Sequence, residues 1–130
     1  MNKKRILILD PERDMADLLA RVAEADGNTK CYVATRDDEF EALFKDIPVD
    51  MALIDLERAS LHDYRLLHHT KRLFPGASII LLATAHQRDA IRNINPELMD
   101  TILYKPISTQ EFRQWLANFD PRDIKSKQGT

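Results

Sequence analysis

The stretch Asp50-Met51-Ala52-Leu53-Ile54-Asp55 decides how this chain is read. Its apolar run is too short for a core helix and shows no alternation, so it reads as a strand buried on both faces. An aspartate follows immediately. Open parallel sheets bind ligands outside the carboxyl ends of their strands, so Asp55 stands where chemistry is expected. The same grammar recurs outward from this run. Arg5-Ile6-Leu7-Ile8-Leu9 ends at Asp10, Ser78 to Ala83 ends at Thr84, and Thr101-Ile102-Leu103-Tyr104 ends at Lys105. Lys30-Cys31-Tyr32-Val33-Ala34 supplies a fifth run.

Segments of helical period lie between the runs. Met15, Leu18, Leu19 and Val22 share a face, with Gly27 placed to end that helix. Phe40, Leu43 and Phe44 mark a second helix that stops near Pro48. Tyr64, Leu66, Leu67, Lys71 and Leu73 mark a third, which stops before Pro75-Gly76. No helix is expected directly after Asp55, and His62 or Asp63 is expected to cap the third. Arg88 to Asn95 is a weak fourth, with Ile91 and Ile94 to bury and no strong cap. Ser108-Thr109-Gln110-Glu111 is a capping box that opens a fifth, with Phe112, Trp115, Leu116 and Phe119 on one face. Five strands alternating with five helices make an α/β, doubly wound parallel sheet.

The chain has 130 residues, so one core is expected. Leu, Ile, Val and Phe supply 35 of them, well above the roughly 20% below which disorder is the better reading. The boundaries are a domain over 1–119 and a polar tail or start of a linker over 120–130. No apolar run approaches the length of a membrane span or signal peptide. Cys31 is the lone cysteine, which suits a reducing, cytoplasmic setting. Nineteen basic and 21 acidic residues give a net charge of −2, which argues against direct nucleic-acid binding.

Asp10, Asp55, Thr84 and Lys105 would converge on one crevice. A carboxylate can attack phosphorus to give an acyl phosphate. Two carboxylates repel an incoming phosphoryl group unless a cation offsets them, and Mg²⁺ accepts such ligands. An ammonium and a hydroxyl can hold the remaining phosphoryl oxygens. Each residue also has a structural reading. Asp10-Pro11-Glu12 is a good helix start, with Asp10 as N-cap and Pro11 at the first helical position. Thr84 can be a turn hydroxyl and Lys105 a solvated lysine. The four histidines lack metal-ligand spacing. Cys31 reads as a strand core residue.

Residues 3 to 119 resemble a response-regulator receiver domain of bacterial two-component signalling. The resemblance is carried by Ile6 to Asp10, Val49 to Asp55, Ile80 to Ala85 and Leu103 to Pro106, in that order and spacing. It implies a flavodoxin-like sheet in strand order 2-1-3-4-5. It also implies Asp55 as phosphoacceptor, with Asp10, Asp55 and the Glu57 main-chain carbonyl as Mg²⁺ ligands. Lys105 would contact the phosphoryl group, Thr84 would swing toward it, and Lys105-Pro106 would be cis. The implied donor is a histidine kinase or phosphotransfer protein. The implied output is the face made by the fourth helix, fifth strand and fifth helix, which could also form a homodimer. The domain would not be an enzyme.

The sequence departs from the family pattern at several points. Pro11 stands where a second acid is usual, so Mg²⁺ should bind weakly. The loop after Asp55 lacks the usual Pro-Gly, and Ile102 stands where strand five usually has an aromatic. Pro11 suits an alternative, a pseudo-receiver used as a phosphorylation-independent interaction module, while intact Asp55, Thr84 and Lys105 suit the phosphoacceptor. A third pattern, Asp10 and Glu12 with Thr84 and Lys105, resembles haloacid-dehalogenase phosphatases. It leaves Asp55 unexplained and the chain too short.

Overall fold

The computed structural model describes residues 3–43 and 47–119. Five parallel strands, β1 (Lys4–Leu9), β2 (Thr29–Ala34), β3 (Met51–Asp55), β4 (Ser78–Thr84) and β5 (Thr101–Lys105), form one sheet in the order β2-β1-β3-β4-β5. Every residue of β3 is buried, as its unbroken apolar run requires. Side chains alternate across the sheet. Leu7 and Leu9 face a core with Phe40, Ile54, Leu67 and Leu81, while Ile6 and Ile8 face a second with Leu19, Leu53 and Phe112.

Helix α1 (Arg13–Glu24) buries Ala16, Leu19, Ala20 and Ala23. Gly27 closes the turn beyond it at φ +77, with its N–H on the Glu24 carbonyl. Asp10 is not the N-cap of α1. Its Oδ1 accepts the Glu12 N–H at 2.9 Å, which spends the cap two residues early and leaves Glu12 at the cap position. Helix α2 (Asp37–Leu43) buries Phe40; Phe44 and the 120–130 tail lie outside the described residues.

The segment after β3 differs from the expected loop. Helix α3 (Leu56–Ala59) opens at once, because Leu56 and Ala59 are one turn apart and both buried. Asp55 is its N-cap, accepting the Arg58 N–H at 3.4 Å. Helix α4 (Leu61–Leu73) then begins irregularly: His62, Asp63 and Tyr64 all have φ between 53 and 62. Neither His62 nor Asp63 caps a helix. Three successive left-handed residues without a glycine cost on the order of 1–3 kcal/mol each. Buried Leu66, Leu67 and Thr70 hold the remainder of α4 against the sheet.

The expected fourth helix is shorter and better capped than its sequence implied. A 3₁₀ turn over Ala85–Gln87 leads into α5 (Arg88–Ile91), which buries no residue. Gln87 caps the turn by accepting the Thr84 N–H at 2.8 Å. Two isolated isoleucines are too little apolar surface to extend α5, and the chain continues through a second 3₁₀ turn, Pro96–Leu98. Helix α6 (Thr109–Asn118) starts where expected, with the Ser108 hydroxyl accepting the Glu111 N–H at 3.0 Å.

Candidate functional site

The C-terminal ends of β1, β3 and β5 bring three charged side chains together. The pairing register sets Leu9 beside Ile54 and Asp55 beside Leu82, so Asp10 and Asp55 leave the sheet at neighbouring strand ends. Lys105 reaches across from the edge strand. Its Nζ lies 2.6 Å from Asp10 Oδ2 and 3.1 Å from Asp55 Oδ1. The Asp10 side chain is fully buried, while those of Asp55 and Lys105 keep 12% and 14% of their surface. Asp55 is therefore reachable from solvent and Asp10 is not. Lys105-Pro106 is cis.

Burial alone would lower the Lys105 ammonium. The hydrogen bonds that the ammonium donates to Asp10 and Asp55, together with the charge of those carboxylates, outweigh it and hold the group above its ordinary value. Lys105 is thus a permanent cation at neutral pH. Its single positive charge faces two carboxyl groups.

Thr84 lies beside Lys105 in the register of β4 and β5, but its side chain points its chemistry elsewhere. Its hydroxyl lies 3.4 Å from Gln87 Oε1, the oxygen that also takes its own N–H. The structure joins Asp10, Asp55 and Lys105 directly and holds Thr84 beside them on Gln87. The Glu57 side chain is exposed. The Glu57 carbonyl accepts the Ser60 hydroxyl at 2.9 Å. Sequence reasoning missed both Gln87 and Ser60. Thr84-Ala85-His86-Gln87 is itself a capping-box pattern and could have been found.

Among the described residues, no group of three or more His, Cys, Asp or Glu could hold a metal ion. Two carboxylates do converge, and Mg²⁺ is often held by one or two carboxylates plus phosphate oxygens and water. Pro11 and Glu12 are both exposed and bring no third acid into the corner. Two carboxylates are all the acid that the corner offers a divalent cation. Cys31 plays no part. Its thiol is pushed up to about 12, mainly by burial and then by the Glu24 charge, so it is a protonated core residue.

No protein-family model matches the chain. A response regulator receiver protein of Anaeromyxobacter is 29% identical over 105 residues, covering 81% of this chain and 44% of that protein. The chain thus spans less than half the length of this curated relative. Among solved structures, a response regulator receiver domain protein from Clostridium thermocellum superposes with a TM-score of 0.72 at 22% identity, over 96% of this chain and 97% of that one. A response regulator from Burkholderia pseudomallei, solved with a phosphorylated aspartic acid, a calcium ion and citrate, gives 0.69 at 21% identity, over 97% and 73%. The fold is that of response regulator receiver domains, flavodoxin-like with strand order 2-1-3-4-5. No helix among the described residues is long and apolar enough to cross a membrane.

Proposed function

We propose that this chain is a phosphoacceptor receiver module that takes a phosphoryl group on Asp55. The observation that carries the reading is the Asp10–Lys105–Asp55 cluster at the carboxyl end of the sheet. An Asp55 carboxylate oxygen attacks phosphorus in a phosphohistidine or acyl phosphate. A P–O bond forms, and the donor's P–N or P–O bond breaks with its electron pair leaving on the donor. Lys105 lies beside the acceptor and would meet a phosphoryl oxygen with its permanent charge. Thr84 would supply a further hydrogen bond once its hydroxyl leaves Gln87.

Asp10, Asp55 and the Glu57 carbonyl are the groups that would hold Mg²⁺. When bound, that ion would offset the negative charge that otherwise repels the phosphoryl group. The donor would be a histidine kinase or phosphotransfer protein, acting in the cytoplasm.

The output face is the one built by α5, β5 and α6. Arg88 stacks over the Tyr104 ring at 5.3 Å, and Tyr104 is 40% exposed. Helix α5 has no fully buried residue and packs on the core only through half-buried Ile91, so it has little packing energy to lose when it moves. This face would dock a partner or a second copy. The module would act by binding, with no substrate turnover of its own.

One observation favours a second reading. Pro11 leaves the corner with two acids, which suits a pseudo-receiver that docks partners without phosphorylation. Intact mass after incubation with acetyl phosphate and Mg²⁺ separates the two. The phosphoacceptor reading expects a gain of one phosphoryl group, lost in Asp55→Asn and reduced in Asp10→Asn. An unmodified wild type under saturating donor supports the pseudo-receiver instead.

A further inference from the structure

We infer that the outer edge of β2 is a self-association surface for a second copy of this chain, and that the Glu24 and Glu39 side chains keep it shut.

Strand β2 stands at the end of the sheet, so β1 covers only one of its edges. Successive residues of a strand point their N–H and C=O groups to opposite edges. Asn28 and Ala34 give their carbonyls to the Lys4 and Asp10 N–H groups, on the β1 side. The even-numbered residues therefore face β1, and Cys31, Val33 and Thr35 face outward. An open edge of this kind is a template for another strand.

Two of these three amides are taken. Glu24, the last residue of α1, accepts the Cys31 N–H through Oε2 at 2.9 Å. Glu39, in the first turn of α2, accepts the Thr35 N–H at 3.2 Å and the Thr35 hydroxyl at 3.0 Å, both on Oε1. Those bonds hold the Glu39 carboxyl below its ordinary value, so this cap is a charged one. Exposed Lys30 and Arg36 lie 4.0 and 3.7 Å from the two carboxylates, in loose surface pairs. Among the described residues, no side chain caps the Val33 N–H between them.

The caps are symmetric about Val33, two residues to either side. A second β2 laid antiparallel, Val33 opposite Val33, would set Cys31 of one copy against Thr35 of the other. That pairing closes on a twofold axis, and the capped amides are the ones it needs. This self-complementary register makes a second copy the occupant. It would also bring Glu24 of each copy onto Glu39 of the other, and like charges placed opposite oppose pairing. The strand itself suits a sheet: Tyr32 and Val33 are strong strand formers and both are only half-buried.

Glutamates that cap amides near helix ends are often merely structural, and their loss then weakens folding without changing association. Sedimentation velocity of the full chain over a wide concentration range separates the two roles. Glu24→Ala/Glu39→Ala should self-associate at least about tenfold more tightly than the wild type, the ratio that one to two net hydrogen bonds are worth. Asp14→Ala/Asp38→Ala removes the same charge from exposed positions on the same two helices and should match the wild type. Adding Val33→Pro to Glu24→Ala/Glu39→Ala deletes the central N–H and should restore wild-type behaviour, because an outward-facing position on an edge strand tolerates proline. Hydrogen exchange reads the same edge. The wild-type Val33 amide should exchange faster than those of Tyr32 and Ala34, and should become protected as Glu24→Ala/Glu39→Ala associates. A folded Glu24→Ala/Glu39→Ala that associates no more than the wild type overturns the proposal. So does association that survives Val33→Pro, that Asp14→Ala/Asp38→Ala reproduces, or that leaves the Val33 amide unprotected. A wild-type Val33 amide as protected as those of Tyr32 and Ala34 overturns it without any variant.

Discussion

The two ends of β3 carry the same residue type in opposite roles. At the amino end, Asp50 accepts the Arg5 N–H through Oδ2 at 2.8 Å, and Asp100, at the start of β5, likewise accepts the Ile79 N–H at 2.7 Å. At the carboxyl end, Asp10 and Asp55 meet the Lys105 ammonium. A backbone amide is fixed by the sheet, so an aspartate that caps it is a structural part. An ammonium on a four-carbon stem can share itself with an incoming anion. An acid beside an apolar run therefore says little alone; what its oxygens face decides what it can do.

The largest expected effect sets these two acids against each other. Asp55→Asn should abolish phosphoryl uptake from acetyl phosphate by intact mass. Asp50→Asn should leave uptake unchanged and cost less than about 1 kcal/mol of stability in urea unfolding. Loss of uptake in Asp50→Asn at retained fold would erase the distinction.

Next in size is Lys105→Met, which leaves two carboxylates facing each other without a cation. It should destabilise the fold by about 3 kcal/mol, the low end for a buried pair because Lys105 keeps some exposure. The pH dependence follows from the sign of the shift. The folded Lys105 sits above its ordinary value of 10.5. Its contribution is therefore complete below about pH 10.5 and is lost as pH rises through the folded value. Denaturant midpoints should show the wild-type advantage over Lys105→Met at pH 7 and its decline in strong alkali. A gap that widens in alkali would contradict the ion-pair assignment.

A smaller effect is expected at Pro11. Pro11→Asp brings a third carboxylate toward a corner that now has two, so Mg²⁺ affinity should rise by roughly tenfold. The Mg²⁺ titration that measures it would show equal affinities if water already fills the place. The smallest effect is dynamic. Amides of Arg88 to Ile91 should exchange faster than those of Leu18 to Val22, because α5 has no fully buried residue and α1 has four. Equal protection would make the α5 face rigid and remove it as the moving surface.

The strands and their terminal residues were legible because apolar runs and the acids or lysine that end them are adjacent in sequence. Helices α1 and α6 were legible because each has a full apolar face. The turn after Asp55 was not. Its only signals are Leu56 and Ala59 one turn apart, too few to show a period. The left-handed run from His62 to Tyr64 carries no glycine to announce it, although it stands directly before the buried Leu66 and Leu67. The Thr84–Gln87 cap was legible as a pattern but precedes a segment with almost no apolar face.

The central claim is that the Asp10–Lys105–Asp55 corner receives a phosphoryl group and that the neighbouring turns respond. Amide NMR spectra of the chain with Mg²⁺, before and after adding beryllofluoride as a phosphoryl mimic, test it most directly. The account expects shifts at Asp55, at Leu56 to Ser60 and at Thr84 to Ile91, and none at Asp50 or Asp100. Spectra unchanged by the mimic, or shifts confined to the amino end of the sheet, would contradict it.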